Sequence, residues 1–258
     1  MVGHGRYPFD RPEGRDDRAG SDWPFPMTDM PMIERPSPNF DERASPVSLL
    51  VLHYTGMPDA VSALDWLASP ESKVSAHYVV CEDGQIVRMV DEAKRAWHAG
   101  RSHWRGINDV NSASIGIEIV NPGHEWGYRP FPEAQIGALI PLMHDIVQRH
   151  GITRGNIVGH SDVAPARKQD PGELFPWGQL ARLRLALPRP TRNLMDPLWT
   201  DSAFMLALER FGYDIAEPEA AVVAFQRRFR PELIDGVIDG ECRAILLALL
   251  LPKPRGDE

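Results

Sequence analysis

The sequence predicts a mixed α/β domain over residues 47–187, a central sheet flanked by helices, followed by a small C-terminal three-helix bundle over 201–251. Three observations carry that prediction. Short aliphatic runs with strand-like patterning recur between Val47 and Gly159. A stretch with helical spacing of apolar residues lies among them, and strands alternating with helices build α/β layers. Beyond Leu187-Pro188-Arg189-Pro190 the composition changes, and three short amphipathic segments follow with no strand among them.

In chain order, residues 1–46 carry Asp, Arg, Gly and Pro without periodicity and read as a loosely ordered arm. Val47-Ser48-Leu49-Leu50-Val51-Leu52 reads as a strand that ends at His53. Ala76 to Cys81 and Gln85 to Val90, joined by Glu82-Asp83-Gly84, read as a hairpin. Ser114 to Val120 alternates strictly, with three isoleucines on one face and Gly116, Glu118 and Val120 on the other. A carboxylate in the middle of such a strand stands out. Glu133 to His150 places Ile136, Leu139, Ile140, Met143, Ile146 and Val147 on one helical stripe closed by Gly151, with Pro141 expected to kink it. Asn156 to Gly159 is a further short strand, again ending in a histidine, His160.

Residues 188–200 read as a linker. The helices predicted after it cover 201–211, 218–229 and 240–251, with Leu206, Phe211, Val222, Phe225, Phe229, Leu246 and Leu249 as their core and 252–258 as a tail. No ionisable cluster in this part suggests chemistry, so it reads as an accessory module.

Composition excludes several functions. The 36 acidic residues exceed the 28 basic ones and leave a net charge of -8, which argues against a nucleic-acid binder. No apolar run approaches the ~18 residues of a membrane span. Cys81 and Cys242 lie far apart and form neither a disulfide framework nor a zinc knuckle, so both read as packed apolar residues. The first 46 residues hold no secretory pattern of a basic start and an apolar run, which predicts a cytoplasmic protein, with the periplasm as the alternative. No protein partner is expected.

Three polar side chains sit where a strand should stay apolar or hand over to a loop: His53, His160 and Glu118. Shortly after His160, Lys168 and Asp170 are two residues apart and project together if the segment is extended. Two neutral imidazoles and a carboxylate from separate elements, with a fourth position open, are what a catalytic zinc site requires. Taken singly, each has a plainer reading: a hydrogen-bonded strand end for a histidine, a turn residue for Asp170, a salt bridge for Glu118 and a solvated loop charge for Lys168.

The combination is more specific. Leu52-His53-Tyr54-Thr55, Val74-Ser75-Ala76-His77-Tyr78, Arg95-Ala96-Trp97-His98-Ala99-Gly100, Ser114-Ile115-Gly116-Ile117-Glu118, Gly159-His160-Ser161-Asp162 and Arg167-Lys168-Gln169-Asp170-Pro171-Gly172 occur in one order. That order resembles the zinc N-acetylmuramoyl-L-alanine amidases of the AmpD type, which share their fold with peptidoglycan recognition proteins. The resemblance spans about residues 47–178. It implies a mixed sheet flanked by helices, one Zn²⁺ held by His53, His160 and Asp170, a catalytic Glu118, and Lys168 facing the scissile carbonyl. It places His77 and His98 at motif positions that are not ligands, and puts Trp97, His98, Asn111 and Arg167 near substrate. The tail from Ala221 to Phe229, with Asp235-Gly236-Val237-Ile238-Asp239-Gly240, resembles a three-helix peptidoglycan-binding domain.

The implied reaction is hydrolysis of the amide between N-acetylmuramic acid, expected in its 1,6-anhydro form, and L-alanine of muropeptides or peptidoglycan. An amide is a poor electrophile with a poor leaving group, so its hydrolysis needs a strong nucleophile, a polarised carbonyl and a proton for the amine. A non-catalytic wall-recognition protein and a secreted wall-degrading amidase are the alternatives on the same fold.

Overall fold

The computed structural model describes residues 31–192 and 194–251. A six-stranded mixed sheet runs through it in the order β1-β5-β4-β7-β3-β8. Its members are β1 (Met32–Glu34), β3 (Leu49–Tyr54), β4 (Tyr78–Val80), β5 (Ile86–Arg88), β7 (Ser114–Ile119) and β8 (Ile157–Gly159). Only the β4–β5 hairpin is antiparallel; β1 pairs parallel with β5, and β4, β7, β3 and β8 are mutually parallel. A separate antiparallel pair joins β2 (Phe40–Glu42) to β6 (Lys94–Ala96).

The central position of β3 follows from its residues. Leu49, Leu50, Val51 and Leu52 are fully buried, as a parallel strand covered on both faces requires. Ile115, Ile117 and Ile119 of β7 are likewise buried on one face, while Ser114, Gly116 and Glu118 leave room on the other. That second face carries the chemistry.

Helices cover the sheet. α1 (Ala60–Ala68), absent from the sequence-based expectation, starts at Asp59, whose carboxylate accepts from the Ser62 N–H as an N-cap. α2 (Val110–Ala113) and α3 (Gly123–Trp126) flank β7 in sequence. α4 (Glu133–His150) buries the predicted stripe and ends on Gly151 at φ 64°. Pro141 does not interrupt it: the helix is continuous across all 18 residues. Gln135 of α4, buried among apolar neighbours, donates to the carbonyls of Val80 and Val120 and so ties the helix to the ends of β4 and β7. α5 (His160–Val163) follows β8 without a gap, and α6 (Trp177–Arg182) closes this part of the chain.

Two sequence-based expectations need correction. The arm drawn over 1–46 is ordered at its C-terminal end, where Met32–Glu34 extends the main sheet and Phe40–Glu42 pairs with β6; residues 1–30 lie outside the described residues. Both strands are three residues long and largely exposed, too short to leave a periodic signal. The 252–258 tail is also outside the described residues.

The second correction concerns the three helices α7 (Asp201–Phe211), α8 (Pro218–Phe229) and α9 (Gly240–Leu250), which form where the spacing predicts them. They start on Thr200, on Pro218 at the first turn and on Asp239, each a residue suited to a helix start. They pack on one another, but their core does not stop at the bundle. Phe204, Leu208, Phe211, Tyr213, Phe225 and Phe229 share one continuous core with Leu49, Val51, Trp104, Val158 and Val163 of the sheet layer. Residues 31 onward form one compact unit with no division at 188–200. Leu206, expected inside, is 64% exposed because Phe204 and Leu208 take the inward face of α7, and Leu249 is only partly buried. Two polar contacts lock this junction: the Arg228 guanidinium lies 3.0 Å from the Trp177 ring centre, and the Tyr213 hydroxyl donates to Asp162 at 2.6 Å.

The Asp235-to-Gly240 motif is explained by packing. Buried Gln226 accepts from the Asp235 and Gly236 N–H groups and donates to the Val237 carbonyl, while Arg230 pairs with Asp235 and Asp239. No helix among the described residues is long and apolar enough to cross a membrane.

Candidate active site

The parallel strands β3, β7 and β8 present their C-terminal ends together, the usual place for a site in such a sheet. His53 on β3 is in direct register with Glu118 on β7, so their side chains leave the same face of the sheet. His160 is the first residue after β8. The chain then loops back, with the Asp170 carbonyl accepting from the Ser161 N–H at 2.9 Å, which returns Asp170 to His160. Asp162 fastens this loop at its base by accepting from the Gly159 N–H and the Tyr213 hydroxyl.

Three donor atoms converge here. His53 Nδ1 and His160 Nδ1 are 2.9 Å apart, and Asp170 Oδ2 is 3.1 Å from each. All three residues are buried.

The surrounding hydrogen bonds fix the tautomers. The Val110 carbonyl can only accept, so Ser114 Oγ donates to it at 2.5 Å and must accept from His98 Nε2–H at 3.0 Å. His98 Nδ1 is then bare and accepts from His53 Nε2–H at 3.0 Å, which leaves His53 Nδ1 without a proton. The Ala99 carbonyl likewise accepts from His160 Nε2–H at 3.1 Å, so Nδ1 is the nitrogen that the neutral ring turns toward Asp170. Burial, followed by the neighbouring His160, pulls the His53 imidazole down to about 4, and burial holds His98 well below its ordinary value, so both are neutral.

The consequence is electrostatic. With both imidazoles neutral, two imidazole lone pairs and a carboxylate oxygen face one another, an arrangement that a cation between them would relieve. Tetrahedral Zn²⁺ with bonds of about 2.0–2.2 Å would set its donors about 3.3–3.5 Å apart. The observed triangle is within a few tenths of an ångström of that, so the donor set fits a divalent metal.

Glu118 completes the site. Its Oε2 is buried without a hydrogen-bond partner, and burial, followed by the charge of Asp170, raises its carboxyl well above the usual range while Lys168 opposes the shift. Among the described residues this buried carboxylate has no partner at one oxygen, and such a group beside a cluster of ligand-type atoms is a candidate for proton transfer. Exposed Lys168 lies within electrostatic reach of both Glu118 and His53.

The comparisons with known proteins agree with this geometry. Residues 43–173 match the Amidase_2 family, described as N-acetylmuramoyl-L-alanine amidase. The chain belongs to the N-acetylmuramoyl-L-alanine amidase family. Over 231 residues it is 40% identical to the N-acetylmuramoyl-L-alanine amidase AmiD of Escherichia coli, covering 79% of this chain and 82% of that one. It is 36% identical over 171 residues to the 1,6-anhydro-N-acetylmuramyl-L-alanine amidase AmpD of Haemophilus influenzae, covering 58% of this chain and 90% of that one. The structure of Escherichia coli AmiD in complex with the substrate anhydro-N-acetylmuramic acid-L-Ala-D-γ-Glu-L-Lys superposes with a TM-score of 0.72 at 35% identity, covering 82% of this chain and 97% of that one. AmpDh3 of Pseudomonas aeruginosa superposes equally well, at 0.72 and 34% identity, covering 79% of this chain and 91% of that one. The protein is therefore an N-acetylmuramoyl-L-alanine amidase, and its mixed sheet is the fold of that family.

Within the amidase, the structure brings His53, His160, Asp170, Glu118 and Lys168 together as the sequence predicted. The four residues expected near substrate have the following surroundings. His98 and Asn111 are buried, and Asn111 Oδ1 accepts from the His98 and Ala99 N–H groups, so both residues support the metal-binding histidines from behind. Half-buried Trp97 is held by Asp41, to which its indole N–H donates at 2.7 Å. Arg167 is exposed and donates to the Ala99 carbonyl at 3.0 Å. His77, fully buried, accepts from the Gly116 N–H and is structural.

Sequence reasoning missed Ser114 and the role of Gly116. A Cβ at Gly116 would lie 2.5 Å from the His98 ring, so glycine is what lets that imidazole lie on the strand. A glycine inside a strand was the available signal for such a close approach.

Proposed function

We infer that this amidase works through one zinc ion held by His53, His160 and Asp170, and cleaves the bond between N-acetylmuramic acid and L-alanine in muropeptides that end in the 1,6-anhydro sugar. The observation that carries the metal reading is the meeting of three buried ligand-type atoms, His53 Nδ1, His160 Nδ1 and Asp170 Oδ2, within about 3.1 Å of one another. The names of the AmpD relative and of the AmiD complex, both of which specify anhydro-muramic compounds, support the substrate.

When bound, zinc supplies a lowered pKa for water, to about 7, and polarisation of the carbonyl. Glu118 accepts the proton of the attacking water at its unpartnered oxygen and returns it to the departing L-alanine amine. The Lys168 ammonium lies close enough to offset the charge that builds on the carbonyl oxygen. Donation by His53 to His98 and by His160 to Ala99 holds both ligands in the tautomer the metal needs.

Two measurements test this reading. Mass spectrometry of the zinc-loaded protein mixed with 1,6-anhydro-muramyl tripeptide, and separately with intact sacculi, is expected to show free peptide from the soluble substrate. Release from sacculi alone would reverse the substrate assignment and favour action outside the cytoplasm; no release from either would sink the reading. In the second, His98→Ala should weaken zinc binding by about 10- to 100-fold, with a smaller loss for Ser114→Ala, since these residues only orient a ligand. Competition with a chromogenic chelator reads the affinity directly, and unchanged affinity in His98→Ala would remove the relay from the argument.

A further inference from the structure

Beside the metal-binding cluster, a groove of about 760 Å³ runs between the loop that carries Lys168 and helix α8. Arg167, Lys168 and Gln169 lie on one wall, and Glu217, Glu219 and Arg227 lie on the other. Lys168, on the first wall, stands two residues before Asp170, so the groove borders the segment that supplies the carboxylate of the cluster. Its second wall belongs to the C-terminal helices, for which the sequence suggested no chemistry.

Arg227 is the unusual member. Its side chain is only 13% exposed, its Nε is buried without a hydrogen-bond partner among the described residues, and the nearest carboxylate, Glu173, stands 3.7 Å away. Glu173 is itself engaged by His124 at 3.2 Å. A guanidinium presents a planar fork suited to a carboxylate, and the long 3.7 Å ion pair with Glu173 engages it only weakly. Through Glu173, Arg227 sits against the segment that follows Asp170, which puts it toward the metal-binding cluster. Glu217 and Glu219 are ten and eight residues earlier in the chain, about 12–15 Å along the helix axis, and are exposed.

The groove thus offers cations near the reaction centre and carboxylates farther out. In the proposed substrate the sugar is uncharged and the charges lie on the stem peptide. The nearest carboxylate belongs to the second residue, about 7 Å of extended chain beyond the scissile amide, and an amine follows on the third. On the basis of the proposed substrate, we propose that the groove between the 165–169 loop and α8 is the stem-peptide site. Arg227 binds the free α-carboxylate of the second, γ-linked residue, and Glu217 and Glu219 face the amine of the third. Arg227 is then a specificity-determining residue supplied by the C-terminal helices.

The test uses two synthetic 1,6-anhydro-muramyl tripeptides that differ at one group, a free α-carboxylate or a carboxamide on the γ-linked residue. Calorimetric titration into the zinc-loaded Glu118→Gln protein, which binds without turning over, should show the carboxylate ligand binding about 10- to 100-fold more tightly, the range expected for a charge-assisted contact. Adding Arg227→Gln should abolish that preference while leaving affinity for the carboxamide ligand within about threefold, and Arg227→Lys should restore part of it. Equal binding of the two ligands to the Glu118→Gln protein, or a preference that survives Arg227→Gln, overturns the assignment. Cleavage of either tripeptide by the wild-type protein reports separately on the proposed function.

Discussion

Glu118→Gln removes turnover and leaves the metal in place. The substitution keeps the size and shape of the side chain, and Glu118 is not among the converging donor atoms, so the zinc content of the purified variant should equal that of wild type. An amide has no route to products unless a proton moves from the attacking water to the departing amine. Removing the group that carries it is expected to lower kcat by about 10²- to 10⁴-fold, the usual contribution of general acid–base catalysis. The wild-type carboxyl is also buried at a cost: its Oε2 has no partner, and burial together with Asp170 disfavours its charge. Replacing a buried charge by a neutral amide should therefore leave the melting temperature unchanged or raise it. Single-turnover kinetics and metal analysis on the same preparation decide the matter. A variant that retained more than about a tenth of wild-type turnover would take Glu118 out of the reaction.

Ending the chain at residue 187 should unfold the protein rather than trim an accessory. The truncation strips Phe204, Leu208, Phe211, Phe225 and Phe229 from a core that they share with Leu49, Val51 and Val158 of the sheet. Each large side chain lost from such a core costs about 3–5 kcal/mol, so the sum far exceeds the roughly 5–15 kcal/mol that holds a domain together. It also takes away Tyr213, which braces Asp162 at the base of the His160–Asp170 loop. Circular dichroism and limited proteolysis of residues 1–187 should report a largely unfolded chain without zinc affinity. A folded fragment that binds zinc would show instead that the sheet layer is complete without the helices. Tyr213→Phe is the milder companion, expected to cost about 1–3 kcal/mol by leaving one Asp162 oxygen unpartnered.

Much of the reaction centre was legible from residue type and order. Histidines at the ends of two aliphatic strands, a carboxylate inside an alternating strand and the Lys168-to-Asp170 spacing are local features, and the register that sets His53 beside Glu118 turns them into one face. The helix stripes were legible for the same reason, since a period of 3.6 is written along the chain. His98 and Asn111 were not: a buried imidazole that hands a hydrogen bond to Ser114 and a cleft-wall imidazole have the same sequence signature, and only the distances separate them.

The sequence by itself determined the α/β class, the residues that meet at the candidate site, and the three C-terminal helices. Tertiary structure alone decided that the core of those helices runs on into the sheet layer, that Met32–Glu34 completes a sheet edge, and that Arg227 and Lys168 line one groove. The physical reason is one of range. Periodicity states that a face is apolar or that a side chain is polar, but which surface covers that face is settled by contacts between residues far apart in the chain, and these leave no local pattern to read.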